Sequence, residues 1–363
     1  MKPHPGHVFL GLSAIVALMS VGCGGVGPST TGPSTAPATA YAYVAHPQSH
    51  SLSRIEIPAD RTVSTVEIGN SSVSTATVKA SDPQDVVVSP DGKRAYVTDG
   101  VTSVWVVDTE SNSVVAVVPA GAGPGKLAIS PDGKSVYVAT IFSSGPSCVA
   151  SVVVIDTTTD TVTSTIPVGK GPGTTRLSGI TVTPDSKRVY VAVTPGSDVL
   201  AIDTASYRIA DTIAATNSGN SDISISPDGK RVYAAGWVRG VYQNTIFVDV
   251  IDTQTDSQSA AILLDTSETP VSIVVTPDGS QAFVTGDIGD IWVVDTVQNA
   301  LMAKITVSPG NPLNAIAITP DGARMYVGCG NTNTIYVIDT GGSGIVDAIP
   351  SDYPGGLTIH SAT

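Results

Sequence analysis

Hydrophobic and polar positions alternate in short runs along most of the chain, and residues 85–121 show the unit. DVVVS (85–89) is an apolar run of strand length, PDGK breaks it, RAYVTD (94–99) returns, VWVVDT (104–109) follows and SVVAVVPAG (113–121) ends it. Runs this short, rich in valine and bounded by Pro, Gly, Asp and Asn, predict antiparallel strands. The unit recurs as SPDGKSVYVAT from Ser130, TPDSKRVYVAV from Thr183, SPDGKRVYAAG from Ser226, TPDGSQAFVTG from Thr276 and TPDGARMYVGC from Thr319. The turn prolines Pro90, Pro131, Pro184, Pro227, Pro277 and Pro320 stand 41 to 53 residues apart. That is the period of a propeller blade, and four antiparallel strands make one blade.

Six full units leave two fragments. Residues 41–68 read as strands two to four of a unit without a first strand, in AYAYVAH, SLSRIEIP and TVSTVEIG. PGGLTIH (354–360) reads as a first strand with nothing after it, Leu357 and Ile359 on its apolar phase. Together they predict an all-β, seven-bladed β-propeller of four-stranded blades, closed by a C-terminal strand that completes the N-terminal blade. Closure removes the free sheet edges of an open ring.

The repeated acids read first as architecture. In each Pro-Asp-Gly or Pro-Asp-Ser turn, proline sets φ, the aspartate accepts backbone N–H bonds and glycine tolerates positive φ. A second series, Asp108, Asp156, Asp203, Asp252, Asp295 and Asp339, ends the third strand before a Thr. Asx-type capping accounts for these without chemistry.

Composition supports one β-rich body: only 13% of residues are charged, with 36 glycines and 25 prolines. Net charge is −13 and no basic run occurs, so nucleic acid is not an expected partner. At the N-terminus, Lys2 precedes an apolar run from Val8 to Val21, shorter than a membrane span and shaped like a secretory signal. Met19-Ser20-Val21-Gly22-Cys23 resembles a bacterial lipobox, with Ser20 where leucine is usual. The expected organisation is a lipoprotein signal peptide at 1–22, a Gly/Pro/Ser/Thr tether at 23–40 lipidated at Cys23, and the propeller at 41–363. A flexible tether of that length reaches roughly 20–25 Å. The expected location is the cell envelope, with a lipid anchor in the membrane.

SPDGKRAYVTDG followed by VWVVDT resembles the YVTN-repeat β-propellers, envelope proteins that are also related to the lactonase-type seven-bladed propellers. The resemblance spans residues 41–363 and implies the fold more than the function, since relatives include surface-layer components, lipoproteins and hydrolases. Asp99 stands where the name motif has asparagine.

In such a ring the loops joining strands two and three, and those joining blades, share one face and vary strongly here. IFSSGPSCVAS (141–151) and GWVRGVYQNT (236–245) depart furthest from the repeat. The second carries Trp237, Arg239 and Tyr242, which offer a stacking face, a fixed cation and a hydroxyl. With Asp222, Asp287 and Asp290, expected nearby by blade order, they are the candidate ligand-binding set. The plainer role has Arg239 pairing with one of these carboxylates and Trp237 covering apolar surface.

No metal is expected: His46 and His50 lie in a loop without a nearby acid in sequence, and His360 falls at the opposite end of a strand. No cofactor is expected either, and haem attached through a Cys-Cys-His motif is excluded because CxxCH is absent. Cys148 and Cys329 fall on separate blades, which argues against a mutual disulfide. Catalytic residues are not identified, and GxSxG is missing. The functional expectation is a monomeric, non-enzymatic propeller that binds an envelope protein, a glycan or a small ligand. The alternatives are a lactonase-like hydrolase and an accessory of envelope redox or export machinery.

Overall fold

A computed structural model of the chain describes residues 39–69, 82–140, 149–168, 175–217, 219–240, 244–265, 268–342 and 344–361. Cys23 with its flanking segments, Tyr242 and Cys148 lie outside the described residues. The described residues form seven four-stranded antiparallel sheets and no helix.

Six blades are continuous in sequence: blade 2 (86–119), blade 3 (124–167), blade 4 (176–214), blade 5 (219–265), blade 6 (270–306) and blade 7 (315–350). Blade 1 takes its inner strand, Leu357–Ser361, from the C-terminus and its other three, Ala40–His46, Ser51–Ile57 and Arg61–Glu67, from the N-terminal side. Leu357 pairs with Val44 and Ser361 with Ala40, so the closing strand is in register over its whole length. The inner strands contact one another in an unbroken circle, including Leu357–Ser361 with its neighbours on blades 2 and 7.

The buried apolar residues divide into seven clusters, each made by two adjacent blades. No single core exists, because each sheet is apolar on both faces and each face is covered by the next blade. Val104, Trp105, Val106 and Val107 on one central strand are all buried.

The motif residues explain themselves locally. Asp91 Oδ1 accepts from Ser89 Oγ at 2.6 Å and from the Lys93 amide at 3.1 Å, and Gly92 holds φ +71°. Thr109, next to the strand-ending Asp108, donates its hydroxyl to the Gly92 carbonyl at 2.5 Å. Thr157, Thr204, Thr253, Thr296 and Thr340 do the same to the turns of their own blades. Asp108 caps its turn through the Ser111 amide at 2.8 Å. Asp99 accepts from the amides of Val101, Thr102 and Ser103, so the departure from asparagine still serves as a turn acceptor.

The Arg-x-Tyr that follows the turn has a separate purpose. On blade 2, Arg94 and Tyr96 reach Asp160 of blade 3, at 3.5 and 3.3 Å. On blade 4, Arg188 and Tyr190 both engage Asp256 of blade 5, the hydroxyl at 2.6 Å. On blade 7, Arg324 and Tyr326 engage Asp60 of blade 1, the guanidinium at 2.9 Å. Asp160 and Asp256 sit four residues after the end of their blade's third strand and Asp60 three, all in the left-handed region, with φ of 50°, 47° and 50°. These are inter-blade latches, and the third closes the ring. Burial, together with the facing carboxylate, pushes the Tyr96 and Tyr326 hydroxyls above the usual phenol range.

Candidate functional site

The residue five before each turn proline falls at the top of an inner strand, beside the ring axis on the variable face. In blades 2 to 7 these residues are Asp85, Lys126, Gly179, Asp222, Ser272 and Ala315, and in blade 1 the place is Gly356. The scaffold repeats and the chemistry does not: three of the seven carry charge.

Lys126 reaches past blade 4, its Nζ 4.0 Å from Asp222 Oδ2 on blade 5. Glycine at 179 permits this approach, since a Cβ there would lie 2.8 Å from Asp222 Oδ1 and 2.6 Å from the Ile223 amide. Gly356 is required for a similar reason, as a Cβ would sit 2.6 Å from the Asp85 Cα. Both acids also tie the ring together. Asp85 Oδ2 accepts the Leu127 amide of blade 3 at 3.0 Å. Asp222 Oδ2 accepts the equivalent Ile273 amide of blade 6 at 3.3 Å and the Ser272 hydroxyl at 2.6 Å. An inner strand is a sheet edge with one row of unpaired amides, and these carboxylates satisfy part of that row.

Electrostatics set the charge states. Attraction to Asp222 holds the Lys126 ammonium above its ordinary range, against burial. Burial raises the Asp85 carboxyl, and the pull of Lys126 only partly offsets it.

Above these groups opens a funnel of about 370 Å³, lined among others by Gln84, Asp85, Lys126, Arg176, Asn220 and Trp237. Arg176 is exposed and Trp237 half-buried. The indole lies against Gly219, its strand partner, where a Cβ would come within 2.7 Å of the ring. The funnel therefore joins an aromatic wall, an exposed guanidinium and a fixed ammonium flanked by two carboxylates. A small polar molecule carrying both donors and acceptors matches that lining.

Of the sequence candidates, Trp237 lines this funnel, and Asp222 is buried beneath it as the partner of Lys126. Arg239 is exposed just beyond the end of the strand that carries Trp237. Asp287 caps a neighbouring turn, its Oδ1 accepting the Thr269 amide at 2.9 Å. Asp290 belongs to another cluster, where Lys304 Nζ lies 2.5 Å from Asp290, 3.0 Å from Glu268 and 3.0 Å from Asp265. Burial, reinforced by the neighbouring Asp290, lifts the Glu268 carboxyl to about 7.

Among the described residues no group of His, Cys, Asp or Glu is arranged to hold a metal ion. His46 donates from Nδ1 to the Asp352 carbonyl at 2.6 Å, whereas His50 Nδ1 lies 3.5 Å from Asp82. His360 packs on the Gly92 turn. Cys329 is a buried free thiol.

A closed ring of seven four-stranded antiparallel blades defines the class as a seven-bladed β-propeller. The chain belongs to the family described as lactonase, 7-bladed beta-propeller, which it matches over residues 23–214. Its fold is similar to Kuenenia stuttgartiensis hydrazine synthase, with a TM-score of 0.68 and 21% identity over 80% of this chain and 93% of that one. A functionally unknown protein from Desulfotomaculum acetoxidans DSM 771 gives 0.68 and 16%, over 89% and 99%. Dihydro-heme d1 dehydrogenase NirN, solved in complex with DHE, gives 0.58 and 17%, over 89% and 75%. These identities speak for the fold alone. No curated protein matches the chain.

Proposed function

We propose that this chain is an exported, envelope-anchored propeller that binds a small polar ligand in its axial funnel. The observation that carries the reading is the break in symmetry at the inner ring, where Asp85, Lys126 and Asp222 occupy places that the other blades fill with Gly, Ser or Ala. A near-symmetric scaffold gains specificity where its copies differ. The export signal and the Cys23 lipobox support the location, and the acidic surface suits an exposed domain.

The test is a thermal-shift screen of sugars, sugar acids, amino acids and lactones, followed by titration calorimetry on any hit. A ligand of the funnel should raise the melting temperature. Trp237→Ala should weaken its binding at least tenfold, as expected for an aromatic anchor. A ligand whose affinity survives both Trp237→Ala and Lys126→Met refutes the site.

A lactonase-like reading is favoured by one observation besides the family: Asp85 is a carboxyl with a raised pKa beside a fixed ammonium. In that reading Asp85 takes a proton from water attacking a lactone carbonyl, while Lys126 and Arg176 stabilise the oxyanion. It requires lactone opening in a pH-stat assay that Asp85→Asn abolishes with substrate binding retained.

A further inference from the structure

Four of the seven inter-blade interfaces present an Arg-x-Tyr: Arg94 and Tyr96, Arg188 and Tyr190, Arg231 and Tyr233, and Arg324 and Tyr326. Three meet the carboxylates Asp160, Asp256 and Asp60. At the fourth, between blades 5 and 6, the corresponding residue is Asn299, with the same left-handed backbone at φ 52°. Asn299 does not take over the role. Its Oδ1 is buried without a hydrogen-bond partner, and Arg231 turns Nη1 to the Thr296 carbonyl at 2.7 Å.

Where the latch is missing there is a groove of about 430 Å³ on the turn face, lined by Arg231, Tyr233, Lys230, Pro227, Thr296 and Val297 among others. This volume falls in the range of small-molecule sites. We infer that this groove binds a small organic carboxylate, which supplies to Arg231 and Tyr233 the group that an aspartate supplies at the three latched interfaces. The sibling interfaces show what the donor pair is shaped to hold: a carboxylate taking a guanidinium N–H and a phenol O–H together. Pro227 and the exposed Val297 add apolar wall for the body of the molecule.

The nearby acids do not forbid an anion. Asp228 Oδ1 is occupied by Ser226 Oγ and the Lys230 amide, and its Oδ2 lies 3.7 Å from Lys230 Nζ. Asp278 accepts from Thr276 and Ser280. Asp252, across the strand pair from Arg231, accepts the amides of Gln254 and Thr255. The latched interfaces carry counterparts of Asp228 at Asp91, Asp185 and Asp321, and of Asp252 at Asp108, Asp203 and Asp339. Each of them still holds its carboxylate.

The experiment titrates the full chain with benzoate in carboxylate-free buffer by calorimetry, with benzamide as the neutral isostere. Benzoate should bind saturably and at least tenfold more tightly than benzamide. Asn299→Asp should rebuild the latch from within, raising the melting temperature and weakening benzoate at least tenfold. Tyr233→Phe keeps the ring, removes the donor and should weaken benzoate severalfold, which preserves the test if Asn299→Asp folds poorly. Absent saturation, equal affinity for benzamide, or wild-type affinity in both variants would overturn the inference. So would binding that Trp237→Ala abolishes and the groove variants leave intact, since that places benzoate in the funnel.

Discussion

Replacing Lys126 with methionine keeps the stem of the side chain and removes the charge between Asp85 and Asp222. At 4.0 Å from Asp222, an ion pair at an effective dielectric of 20 is attractive by about 4 kcal/mol. The lysine side chain is 32% exposed, so solvent screening and the relief of its own desolvation reduce the net loss to roughly 1–3 kcal/mol. The sign with pH follows from linkage. The attraction that raises the lysine pKa contributes fully below the unfolded lysine value and is lost as pH rises through the folded one. Without the lysine, the Asp85 carboxyl, already raised by burial, loses the pull that partly offset that rise, so its charged form destabilises the fold further at neutral pH. Urea melts at pH 5 and pH 8 should therefore show the variant's deficit larger at pH 8. Adding Asp222→Asn should recover part of it, because the amide oxygen still accepts from Ser272. A deficit equal at both pH values, or larger at pH 5, would refute the account of the funnel as a compensated charge cluster.

Deleting residues 350–363 removes the closing strand and should lower the melting temperature far more than an ordinary tail truncation, as calorimetry would show; an unchanged cooperative melt contradicts the closure. Tyr326→Phe removes a donor from the closing latch and should cost about 1–2 kcal/mol in denaturant melts, while Tyr233→Phe at the unlatched interface should cost clearly less. Glu268 has a folded pKa raised to about 7, so its contribution to stability should fall as pH rises from about 5 to 7 and Glu268→Gln should flatten that part of the profile. Cys23→Ser should release the chain from the membrane fraction, and a wild-type protein already soluble after export would remove the anchor from the proposal.

The blade plan was legible because it is written in local signals: turn prolines at a regular period and apolar alternation between them. Even the closure could be read, since PGGLTIH keeps the phase of a first strand. The latches escaped because each joins residues 64 to 266 positions apart in sequence, and an Arg-x-Tyr looks like ordinary strand patterning until the next blade stands beside it. The funnel was half visible. Trp237 and Asp222 were candidates, but Asp85 and Lys126 lie in loop-to-strand stretches that look unexceptional singly. Aligning the copies on the turn proline and asking which phase changes charge would have exposed them. Asp287 and Asp290 were grouped with Trp237 by blade order, which orders neighbours around the ring but says nothing about how far from the axis a side chain stands.

The pairing of Ala40 with Ser361 and Val44 with Leu357 brings the two ends of the propeller to the same end of one ladder. A load pulling those ends apart would act on one residue pair at a time, peeling the strand as a zipper opens, whereas shear would load all five pairs at once. The closure that holds the ring against heat is thus its soft point against force, and pulling between residues 40 and 361 should open blade 1 before any other blade yields.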